Sequence, residues 1–129
     1  MAKKISVGLD LRNAQYGTLP GYTETTAANN TKYYYKYSGG TDGAGNIVVH
    51  KNKPVEITVT VGGDARYSVS DVSVRNDTHS DITSSHSGVT ATINDSATDL
   101  ESNIYYNISV ADSTANTTFG CDPKIDNVN

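Results

Sequence analysis

Pro54-Val55-Glu56-Ile57-Thr58-Val59-Thr60-Val61 sets Val55, Ile57, Val59 and Val61 in strict alternation with Glu56, Thr58 and Thr60. Successive side chains of a strand point to opposite faces, so this stretch predicts a strand with one apolar and one wetter face. Gly62-Gly63-Asp64 turns the chain into Tyr67 to Val74, where Val69 and Val72 fall out of phase and predict a bulge or bend around Ser70-Asp71. Ile104, Tyr106, Ile108 and Val110 repeat the alternation within Ile104 to Val110, and Val89 to Ile93 supplies a shorter strand. Toward the N-terminus, Ile5, Val7, Leu9 and Leu11 alternate with Ser6, Gly8 and Asp10. Thr31 to Tyr37 places Tyr33, Tyr35 and Tyr37 on a dry face and Tyr34 with Lys32 and Lys36 on a wet one.

The connections follow from turn chemistry. Ser38-Gly39-Gly40-Thr41-Asp42-Gly43-Ala44-Gly45-Asn46 leads into Ile47-Val48-Val49 and predicts a hairpin with the Tyr-rich strand. Residues 12 to 30 and 76 to 88 are polar or rich in turn formers and read as loops, the first longer than an ordinary connection. Thr117 to Cys121 and Lys124 to Val128 close the chain as strands. Short strands, frequent turns and no helical period predict an all-β fold: one immunoglobulin-like, antiparallel, two-sheet β-sandwich over residues 1–129. The 129 residues suffice to bury a core without disulfides or metal.

Composition narrows the function. A formal charge of −4 argues against a phosphate-binding surface, hence against nucleic acid. No apolar run approaches the roughly 20 residues of a membrane-spanning helix. Met1-Ala2-Lys3-Lys4 begins like a signal peptide, but Gly8 and Asp10 break the apolar stretch that follows and no cleavage site is apparent. The single cysteine, Cys121, forms no intrachain bridge and suits a reducing compartment such as the cytoplasm. The sequons at Asn76 and Asn107 would need a secretory route.

One bond carries chemistry. Cys121-Asp122-Pro123-Lys124-Ile125-Asp126-Asn127-Val128-Asn129 places an Asp-Pro linkage ahead of the terminal strand. The prolyl nitrogen belongs to a tertiary amide and is a comparatively good leaving group once protonated. The Asp122 carboxylate can reach its own main-chain carbonyl through a five-membered ring, an intramolecular route of high effective concentration. Direct attack by water guided by a carboxylate gives the same products. As an ordinary turn starter, Asp-Pro needs no chemistry at all, since Asp caps local N–H groups and Pro fixes the next φ.

The N-terminal strand Ile5-Ser6-Val7-Gly8-Leu9-Asp10, the Gly45-Asn46-Ile47-Val48 segment, Asn94-Asp95-Ser96 and the terminal Asp122-Pro123-Lys124-Ile125 with Asn127 together resemble the small bacterial DP-EP family. Family tails commonly finish with another proline, where this chain has Val128-Asn129. The resemblance implies a β-sandwich that cuts itself once at its Asp-Pro bond, here between Asp122 and Pro123, as a single-turnover event with Pro123 to Asn129 staying docked. A lysine could trap the resulting anhydride as a crosslink, but none lies between Lys53 and Lys124.

Other constellations are weaker. Gly120-Cys121 allows an N-to-S acyl shift, although a lone cysteine in a strand is more often a small buried hydrophobe. His79 and His86, near Asp77 and Asp81, match no established metal spacing. Asp42 to Asn46 resembles a calcium loop without enough acidic ligands. No metal or cofactor is implied. The rival function is a non-enzymatic assembly or binding module, pairing with further copies through exposed edges, the terminal strand or a platform of Tyr33, Tyr34, Tyr35 and Tyr37.

Overall fold

The computed structural model describes residues 3–13, 22–41, 43, 45–63, 65–75, 82–98, 101–121 and 124–128. Among the described residues eleven strands follow one another: β1 (Lys3–Asn13), β2 (Thr23–Thr26), β3 (Lys32–Gly39), β4 (Ile47–His50), β5 (Val55–Gly62), β6 (Tyr67–Arg75), β7 (Ile82–Ser87), β8 (Thr90–Asp95), β9 (Glu101–Asp112), β10 (Thr117–Cys121) and β11 (Lys124–Val128). Among the described residues no helix is long and apolar enough to cross a membrane. The fold is all-β, with a six-stranded sheet ordered β2-β3-β1-β5-β8-β7 and a five-stranded sheet of β10, β9, β11 and β4 in which β6 also pairs with β9.

The sheets are mixed rather than antiparallel throughout. β1 and β5 run parallel, Ile5 opposite Ile57, as do β11 and β4, Ile125 opposite Ile47. Between β1 and β5 the chain leaves the first sheet, contributes β4 to the second and returns, and such a crossover restores the original direction. The glycine-rich connection therefore turns the chain between sheets: β3 and Ile47–His50 are not a hairpin. Two regions read as loops contain edge strands, β2 on β3 and β7 on β8. Thr23–Thr26 lacks large apolar residues, and the β7 sequence Ile-Thr-Ser-Ser-His-Ser is polar after its first residue, so neither announces a buried face. The eighth strand starts at Thr90, and Val89 is exposed in the turn before it.

The alternating faces meet in one core. Val55, Ile57, Val59 and Val61 of β5 are buried, as are Ile104, Tyr106, Ile108 and Val110 of β9. The register between β6 and β9 slips between Val69 and Asp71, the bulge that the phase of Val69 and Val72 predicts. Tyr33 of the first sheet stacks on Phe119 of the second with ring centroids 4.1 Å apart, and Tyr67 meets both edge-on. Tyr34 is buried despite sharing a face with Lys32 and Lys36, and its hydroxyl donates at 3.4 Å to Glu24, its cross-strand neighbour on β2. The sheets are tied along two seams. Val69 donates its N–H to the Gly88 carbonyl at 2.8 Å on one side; on the other, the Ala28 N–H reaches the Thr118 carbonyl at 3.2 Å.

Candidate functional site

Asp122 and Pro123 lie outside the described residues, and the strands they join define the frame. β10 and β11 run along the same edge of β9 in one register: Cys121 pairs with Ile108 and Lys124 with Tyr105. The β9 residues between those pairings are Tyr106 and Asn107. A shift appears only beyond Ile125. On the upstream side, Cys121 is fully buried and its carbonyl accepts the Tyr37 hydroxyl at 2.9 Å. Thr25 Oγ1 donates to the Gly120 carbonyl at 3.1 Å. On the downstream side, Ile125 is fully buried, and β11 is an interior strand, antiparallel to β9 and parallel to β4.

Tyr37 is held in place by its neighbours. Its ring meets Tyr106 edge-on at 6.0 Å, and Tyr106 donates its hydroxyl to the Gly45 carbonyl at 2.6 Å. Gly45 has φ 86°, and a Cβ there would lie 2.5 Å from Tyr37 Cβ. This position therefore requires glycine both for its backbone and for the space the tyrosine fills. Gly45→Ala is expected to lower unfolding free energy by about 2 kcal/mol, read as a lower urea midpoint at unchanged slope.

Asn107 is the second polar group of the frame. Its Oδ1 is buried and accepts no hydrogen bond from a described residue, and it lies against Gly120, where a Cβ would approach it to 2.7 Å. Buried polar atoms are normally partnered, so this amide oxygen is an exception that lies beside Gly120.

The other sequence candidates divide. Cys121 is buried and outside any disulfide, while the Gly120 carbonyl that an acyl shift would attack is engaged by Thr25. His86 is exposed on β7; Asp77, His79 and Asp81 lie outside the described residues, as do Asp42 and Ala44. Among the described residues no three His, Cys, Asp or Glu side chains gather to hold a metal. Tyr33 and Tyr37 belong to the core and Tyr35 packs against it half-buried, while Tyr34, also buried, lies on the opposite face of the strand.

A polar cluster with no sequence signal sits at the opposite end of β10. Asp112 is 1% exposed and receives Arg66 Nε and Nη2 at 2.7 Å each, the Tyr33 hydroxyl at 2.6 Å, and the N–H groups of Thr114 and Ala115. Burial pushes its carboxyl up. The bonds from Arg66, Tyr33, Ala115 and Thr114 outweigh that push and hold it down at about 2. Burial, then the carboxylate, raise the Tyr33 phenol well above its ordinary range. Asp112 is thereby committed to structure and is no general acid for the Asp-Pro bond. Residues 33, 66 and 112 are too far apart in sequence for any local pattern to join them.

No family model matches this chain, and no curated protein matches its sequence.

Proposed function

We propose that the chain cuts its own backbone once, between Asp122 and Pro123, and keeps the released segment in its sheet. The observation that carries this reading is the shared register: Asp122 and Pro123 are the only residues between two strands that grip one edge of β9 in phase. The strands on both sides of the bond are thus tethered by separate ladders, and tethering of this kind supports an intramolecular attack. An Asp122 carboxylate oxygen bonds to its own carbonyl carbon, and the C–N bond to Pro123 breaks. The prolyl nitrogen takes a proton from water and leaves as an amine. A water molecule then opens the anhydride and restores both carboxyl groups, so one water is consumed overall. Asn107 is the amide side chain that β9 supplies between the two pairings, suited to orient a carboxylate or a water.

This reading extends the resemblance to the DP-EP family, and with it an immunoglobulin-like sandwich as the description of the two facing sheets. An assembly module built on the Tyr-rich strand is the less favoured function, because Tyr33, Tyr34 and Tyr37 are buried in the single chain.

The experiment is the intact mass of freshly purified protein under denaturing conditions near neutral pH, which should give fragments ending at Asp122 and beginning at Pro123. Retention of the tail is a separate prediction. Ile125 alone contributes about 2 kcal/mol of apolar burial, and two ladders hold its strand. Native size-exclusion chromatography should therefore elute the two fragments together, and only denaturant should separate them.

A further inference from the structure

Away from the two seams, the described residues form an opening where the beginning of β1 comes near β4. A cleft of about 860 Å³ lies there, a size common among ligand sites. It is bordered by Lys3, Lys4, Lys53 and His50, and among the described residues no Asp or Glu lines it, although acidic residues outnumber basic ones 14 to 10 in the chain. By register, three acidic positions border these walls: Glu56 opposite Lys4, Asp95, buried, opposite Val55, and Asp126 opposite Val48.

The backbone of the cleft is equally particular. β5 pairs with β1 from Lys3 onward, whereas β3 pairs with β1 only from Val7, opposite Gly39. One further bond, from the Gly40 N–H to the Ser6 carbonyl at 3.3 Å, closes that ladder. Among the described pairings, Lys3 to Ile5 therefore extend past the end of the β3 ladder as a short strand edge. The facing edge of β4 is capped: Val48 N–H donates to Thr41 Oγ1 at 2.8 Å, and the His50 carbonyl accepts Lys53 N–H at 3.0 Å. Val48, 38% exposed, gives that wall an apolar surface.

The geometry points to a docking site for an acidic peptide segment in extended conformation, which adds to the β1 edge at Lys3 to Ile5 as a continuation of β3 and sets its carboxylates among Lys3, Lys4 and Lys53. Main-chain bonds to the open edge supply affinity, and the lysines select charge. This site is independent of the Asp-Pro bond.

The test is fluorescence anisotropy of a fluorescein-labelled, acetylated peptide of alternating valine and glutamate, titrated with the full chain at low salt. Saturable binding is expected, weakened about tenfold by the combined substitution Lys3→Gln, Lys4→Gln and Lys53→Gln, all at exposed positions. The same peptide methylated on alternate backbone nitrogens should bind much more weakly, because it cannot complete a ladder. Absence of binding, equal binding of a valine-lysine peptide, or no loss in the triple variant would overturn the proposal. Undiminished binding of the methylated peptide would overturn strand addition. Concentration-dependent dimerisation abolished by the triple substitution, without peptide binding, would give the cleft to a second copy and overturn it too.

Discussion

Asp122→Ala is expected to leave the chain whole. The substitution removes the only nucleophile that can reach the Asp122 carbonyl through a five-membered ring, and with it an effective concentration on the order of 10⁵ M or more. The bond to Pro123 then becomes an ordinary tertiary amide, and no fragment should accumulate over days near neutral pH. Circular dichroism of the variant should show an unchanged β spectrum, so that an intact chain reflects lost chemistry rather than lost structure. If the variant breaks at the same bond as fast as the parent, water guided by another group does the cutting and the anhydride route is wrong.

The second large effect is on stability. Asp112→Ala should cost about 3–5 kcal/mol, because it leaves the Arg66 guanidinium half-buried without its carboxylate and the Tyr33 hydroxyl buried without an acceptor. Against a typical domain stability of about 5–15 kcal/mol this brings the chain close to unfolding at room temperature. The same carboxyl gives a pH signature. It is held at about 2, below its unfolded value of about 3.9, so its contribution is fully present above pH ~4 and is lost as pH falls through about 2. Its size is on the order of 2 kcal/mol. Urea midpoints between pH 5 and 2 should fall more steeply for the parent than for Asp112→Asn, which carries no charge to titrate. Parallel curves would mean that the Arg66 pair adds nothing net.

The fold was legible wherever a strand buries one face. Val55 to Val61 and Ile104 to Val110 announce themselves because core and solvent impose a period of two, and the bulge at Val69 appears as a break in that period. Thr23–Thr26 and Ile82–Ser87 do not, since edge strands with polar faces share their composition with loops. Glycines at 39, 40, 43 and 45, all with positive φ, mark a reversal equally well whether the next strand pairs with the last or crosses to the other sheet. Local turn chemistry therefore located the connection and mistook its destination. Parallel pairing of β1 with β5 has no local signature at all.

The candidate site divides in the same way. The Asp-Pro bond is visible because its chemistry is written in adjacent residues. The Tyr37 bond to the Cys121 carbonyl, the amide of Asn107 beside Gly120 and the support of Tyr106 on Gly45 arise from contacts distant in sequence. Only the pairing of strands brings them to one place. Tyr33 was legible as a core tyrosine, but its hydrogen bond to Asp112 was not.

Intact mass spectrometry of the parent chain and of Asp122→Ala, side by side in one time course near neutral pH and without acidic heating, is the most direct test of self-cleavage. The expected result is a parent that resolves into a fragment ending at Asp122 and the peptide Pro123 to Asn129, their masses together exceeding the chain by one water, beside a variant that stays whole. A parent that remains intact throughout would contradict self-cleavage and leave the Asp-Pro pair as a turn between two strands.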